Sequence, residues 1–114
     1  MSSLYPDQQL KRRVMAWALR LKVNPERVDI TEMPNKWGSC SSDGVVTFAD
    51  ELATANESFQ DFVIVHELLH LRYPTHGKRF QAMMSAMVPD WRELERSSQH
   101  FTQRTVRAAK TSGS

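Results

Sequence analysis

Residues 62–71, "FVIVHELLHL", constrain this chain more than any other stretch. A helical run that is apolar on nearly every side belongs inside a domain, with other elements wrapped around it. Yet it carries His66, Glu67 and His70. An unpaired carboxylate is costly to bury, so Glu67 needs a partner or a task. His66 and His70 are four residues apart and share one helix face. Neutral imidazoles at that spacing can both reach one zinc ion at about 2.0–2.1 Å. Glu67 follows the first of them but stands outside the pair, where a general base for an activated water belongs.

His76 is the third candidate ligand. Six residues separate it from His70, and Pro74 falls between them. The chain must therefore leave the helix, turn, and return His76 at the start of the next one. Three protein ligands with one open position make a catalytic zinc site, whereas four make a structural one. One histidine on an apolar helix is usually a hydrogen-bonded core residue. Here three of the chain's four histidines fall within eleven residues, around a glutamate in an apolar setting, and the metal reading is preferred. The spacing His66, His70, His76 also equals that of metzincins, which place glycine where this chain has Tyr73. Met83, Met84 and Met87 read as helical core rather than as a Met-turn. The metzincin reading is rejected.

The flanking elements are short. "YPDQQLKRRVMAWALRLKV" predicts a helix, with Leu10, Val14, Trp17, Ala18 and Leu21 on one stripe and Pro6 in the first turn. "RVDITEM" predicts a strand. "KWGSC" and "VVTFA" predict two more, joined by a turn at "SSDG". The metal helix runs through "ESFQDFVIVHELLHLRY", with Ser58 and Asp61 as an expected capping pair. Thr75 is expected to cap "HGKRFQAMMSAMV", and Pro89 to end it. Asp90 and Glu93 are expected to open a last helix through about Arg107. The sum is one α+β domain over residues 1–110, with a flexible tail at 111–114.

The chain has 114 residues and one cysteine, Cys40, so no intrachain disulfide can form. It shows no apolar core with a small-residue cleavage site near its start, and a cytoplasmic setting is expected. No run of eighteen apolar residues exists, so no membrane partner is expected. A net charge of +2 does not by itself imply nucleic-acid binding. Arg92, Arg96, Arg104, Arg107 and Lys110 make the last helix basic. A solvated face is the default reading, and a phosphate contact with DNA is the sharper alternative. His100 reads as a surface residue.

"KWGSCSSDGVVTFADEL", "FVIVHELLHLRYPTHGKRF" and "VPDW", taken together, resemble the YgjP-like metallopeptidase family, over roughly Val23 to Arg92. SprT-like and WLM metalloproteases look like more distant relatives. The resemblance implies a zincin-like fold, with His66, His70 and His76 as ligands of one Zn²⁺ per chain and Glu67 as catalytic base. Family members usually carry a longer N-terminal β-rich part, so this chain is expected to be a minimal version. Ala49 stands where the family often has Asn, and Gln81 where an aromatic often follows Phe80. Neither change replaces one of the three histidines.

The expected function is therefore zinc-dependent hydrolysis of a protein or peptide. Rivals are nucleoside triphosphate pyrophosphohydrolysis, a DNA-associated protease, and a metal-stabilised binding module without turnover. Trp37, Gly38, Ser39 and Cys40 could form an edge strand where an extended peptide pairs, although Trp37 and Cys40 are read first as core. Cys40 as a fourth ligand is not supported by the resemblance. Arg72 and Tyr73 could stabilise an oxyanion, with surface exposure the preferred reading of Arg72.

Overall fold

A computed structural model describes residues 5–98. Helix α1 spans Pro6–Leu21, with proline at its start and Leu10, Val14, Trp17, Ala18 and Leu21 on its buried stripe. Strands β1 (Arg27–Thr31), β2 (Gly38–Cys40) and β3 (Val45–Ala49) follow. A 3₁₀ turn, Asp50–Thr54, leads into α2 (Glu57–Leu69). Then come α3 (Lys78–Met87) and a further helix, α4, described over 91–98. This is the α+β architecture that the pattern predicts.

The sheet order is β1-β3-β2. β1 runs parallel to β3, with Val28 opposite Val46 and Ile30 opposite Phe48. β2 runs antiparallel to β3, with Ser39 opposite Thr47. The hairpin between them turns at Ser41–Gly44, where Gly44 has φ +89°. That left-handed geometry is open to glycine at no steric cost. β3, flanked on both sides, buries Val46, Phe48 and Ala49.

Helix α2 is the hub. It packs on α1, α3, β2 and β3. Ile64, Val65, Leu68 and Leu69 on it are fully buried. Each contributes on the order of 1.5–3 kcal/mol relative to an exposed side chain. The only polar residues buried among those described are Gln60 and Glu67. Gln60 donates to the carbonyls of Leu52 and Ala53, 2.9 and 3.1 Å away, and so fixes the 3₁₀ turn against α2.

The caps differ from the expected ones. Asn56, not the Ser58–Asp61 pair, caps α2, its side-chain oxygen accepting from the Phe59 amide at 2.9 Å. A cap must precede the first helical residue, and that residue is Glu57. Asp61 is drawn into α1 instead. Its carboxylate accepts from the Trp17 indole at 2.8 Å and from Arg13 Nε at 2.7 Å. Gly77, not Thr75, precedes α3, without a side-chain cap. Asp90 does sit at the start of α4, its carbonyl accepting from the Glu93 and Leu94 amides at 3.1 Å. Of the basic residues expected on the last helix, Arg92 and Arg96 are described and exposed. Arg104, Arg107, Lys110, His100 and the tail at 111–114 lie outside the described residues.

Asp61→Ala should destabilise the fold by about 1–3 kcal/mol, because the Trp17 indole N–H loses its acceptor and the Arg13 guanidinium keeps only Glu57, 3.5 Å away. Denaturant unfolding checks this, and an unchanged midpoint would mean that the α1–α2 tie is idle.

Candidate metal centre

Helix α2 presents His66 and His70 one turn apart, their ring centroids separated by 4.9 Å. The chain then leaves the helix and comes back through Pro74. His76 returns to 5.1 Å from the His66 ring and 4.8 Å from the His70 ring. One nitrogen from each imidazole lies within 4.8 Å of the others. Cys40 is not part of this group.

The outward nitrogens are already engaged. His70 Nδ1 faces the Tyr73 carbonyl at 3.2 Å, and His66 Nδ1 faces Glu67 Oε2 at 3.2 Å. With the proton on Nδ1 in both rings, the Nε2 lone pairs are free to ligate. His70 and His76 Nε2 atoms are 3.1 Å apart. Two nitrogens on a tetrahedral zinc at 2.0–2.1 Å would stand about 3.3 Å apart, so the His70–His76 pair has the spacing of two ligands of one ion, and His66 brings a third nitrogen within 4.8 Å of both. Burial, with His66 alongside, pushes the His70 imidazole below its ordinary pKa. A ligand histidine must be neutral, so this shift favours metal over proton.

Phe80 lies under all three rings. Its centroid is 5.3 Å from His66, 4.9 Å from His70 and 4.7 Å from His76. It stacks on His70 at 28° and meets His66 edge-on at 84°. The first turn of α3 thus supplies a floor for three imidazoles that come from α2 and from the loop. Sequence reasoning saw Phe80 only as part of a motif. Its position four residues after His76 was the available signal.

Glu67 is 8% exposed and stands where two hollows meet. The larger, about 810 Å³, is lined by Gly38, Ser39, Cys40, Glu67, His70 and Pro74 among others. The smaller, about 210 Å³, has Trp37, Phe62, His66, Glu67 and Glu95 in its walls. Gly38 borders both. A Cβ on Gly38 would lie 3.0 Å from Glu67 Cγ and 3.2 Å from the Thr47 carbonyl oxygen. Glycine is thus what lets the strand approach the carboxylate so closely. Gly38→Ala should shift Glu67 or lift β2, and lower turnover by about tenfold or more, since small misplacements at a reacting centre are expensive. Metal content should be kept. A Gly38→Ala chain with parent kinetics would remove this constraint.

The sequence candidates are sorted by this geometry. His66, His70, His76 and Glu67 are brought together. Trp37, Gly38 and Ser39 border the cleft. Cys40 is half-buried, packs against the core and also lines the larger hollow. Tyr73 enters through its backbone carbonyl, and its ring packs against the core. Arg72 is turned elsewhere: its guanidinium donates to the Lys22 carbonyl at 3.0 Å, at the end of α1. Met84 is fully buried, and Met83 and Met87 pack against the core, as helical spacing implies.

An α+β domain with a histidine triad beside a buried glutamate, open to a cleft, has the make-up of a metallopeptidase. The chain belongs to the YgjP-like family, whose metallopeptidase domain matches residues 6–100. It is also similar in fold to the crystal structure of the metallopeptidase zymogen of Methanocaldococcus jannaschii jannalysin. That match has a TM-score of 0.68 at 21% identity, and covers 77% of this chain and 91% of the other. No curated protein matches. Among the described residues, no helix is long and apolar enough to cross a membrane.

Proposed function

We propose that this metallopeptidase is a zinc enzyme that hydrolyses peptide bonds, with His66, His70 and His76 holding one ion and Glu67 acting as general base. The convergence of three imidazole nitrogens next to a carboxylate on the cleft floor carries this reading. Zinc, when bound, would polarise the scissile carbonyl and bring the pKa of a water down to about 7. Glu67 takes the proton from the attacking water and passes it to the leaving amine nitrogen. Tyr73, through its carbonyl, keeps the His70 proton on Nδ1 and so keeps Nε2 available. β2 stands at the sheet edge beside Glu67, and its outward N–H and C=O groups suit an extended substrate main chain. Gly38 leaves room for that chain, with Trp37 towards one hollow and Ser39 towards the other.

Chain purified without chelator should hold about one zinc, and should cleave casein or an unstructured peptide pool. A UTP assay and a salt titration against duplex DNA run alongside. Absence of any transition metal would overturn the zinc reading. Turnover of UTP but not of peptides would move the activity to nucleotides, and salt-sensitive duplex binding would add a DNA-tethering role.

A further inference from the structure

We propose that Gln81 and Arg92 are positioning residues that hold His76 in its ligating pose and so couple the metal centre to α4. The proposal rests on the reading of the histidine triad as the ligand set. His76 is the most exposed of the three and sits in the irregular stretch between α2 and α3. His66 lies within α2 and His70 is its C-cap, its amide bonded to the Glu67 and Leu68 carbonyls, whereas the pose of His76 depends on what grips its loop. Gln81 Nε2 donates to the His76 carbonyl at 3.0 Å. The Gln81 amide also donates to the Gly77 carbonyl at 3.0 Å, so both grips come from the same residue. Gln81 Oε1 in turn accepts from Arg92 Nη2 at 3.1 Å. The Arg92 guanidinium lies over the Trp91 ring, 4.4 Å from its centroid. Trp91 is itself buried and donates to Ser85 Oγ at 3.0 Å. The result is a continuous line from a buried anchor in α4, through one side-chain amide, to the backbone of the third ligand.

The chemistry of the middle residue is restrictive. It must donate to a carbonyl with one end and accept from a guanidinium with the other. Glutamine does both, glutamate cannot donate, and leucine does neither. Partners that orient metal ligands usually change metal affinity by 10–100-fold when removed. The bonds here are exposed, so the low end applies.

The test uses the full chain and measures zinc affinity by competition with a chromophoric chelator, with Co²⁺ absorption as a geometric readout. Gln81→Leu and Gln81→Glu should each weaken zinc binding by about tenfold and alter the Co²⁺ bands. Arg92→Leu should weaken it by about threefold, because it removes only the outer link. In a His76→Ala background, Gln81→Leu should cost nothing further, since the clamp acts only through that ligand. Equal losses in both backgrounds would show a general effect on α3 and overturn the proposal, as would unchanged affinity in Gln81→Leu. A parent chain that binds no zinc would overturn the triad reading and the clamp with it. A parent that binds zinc as tightly as Gln81→Leu does would overturn the clamp alone.

Discussion

Glu67→Gln is expected to keep its zinc and its fold while losing about 10²–10⁴-fold in kcat. The substitution is nearly isosteric, so the 8%-exposed site stays filled. The amide oxygen can still accept from His66 Nδ1, which Glu67 Oε2 meets at 3.2 Å, so the ligand ring keeps its orientation. What is lost is the capacity to accept a proton from water. The paired measurement is elemental analysis and steady-state kinetics on the same preparation. A variant with full metal and parent turnover would remove Glu67 from the base role. A variant that lost its metal as well would point to a part in organising His66.

His70→Ala is expected to have the broadest effect of any single change at the site. It removes a donor from the centre of the triad, a ring stacked on Phe80 and the hydrogen bond to the Tyr73 carbonyl. Two ligands remain where a zinc site needs three, and affinity should fall by about 100-fold or more. Peptide hydrolysis should fall to background. A stability signature should accompany the loss. A ligand bound only by the native state raises the unfolding free energy by RT ln(1 + [L]/Kd), about 2.7 kcal/mol at 100 Kd. The parent should therefore melt higher with zinc than after chelation, and that gap should close in His70→Ala. A persistent gap would place the metal somewhere other than the triad.

The histidine-bearing helix and the grouping of its two imidazoles with His76 were legible in the sequence, because both are local. His66 and His70 share a face by helical periodicity alone, and one proline between His70 and His76 forces the turn that returns the third ring. The stripe on α1 and the hairpin around Gly44 were legible for the same reason. Pairing across the sheet was less so. Alternation marks β1 as a strand but does not say that it skips β2 and lies parallel on β3. The caps misled because Asn56, Ser58 and Asp61 all have capping chemistry, and only the exact helix start selects among them. Arg72 lies two residues past His70, yet a carbonyl at the end of α1 draws it away. Gln81 read as a mere departure from a family pattern. Its contacts with His76 and Arg92 depend on how α3 and α4 are placed, which no local pattern encodes.

If substrate pairs with β2 as proposed, that strand, which among the described residues has a strand neighbour on one side only, sets what kind of target the cleft can meet. A peptide can pair with that edge only if its own main-chain N–H and C=O groups are unclaimed, so a segment already folded into a helix or sheet presents nothing to grip. Cleavage would then be timed by the victim rather than by the protease. When local opening is fast relative to cutting, the rate follows the population of the opened form, and a protein whose segment opens at a cost of 1.4 kcal/mol more would be cut about tenfold more slowly. On that reading, the enzyme would discriminate by conformational integrity, cutting loosened chains faster than their intact counterparts of identical sequence.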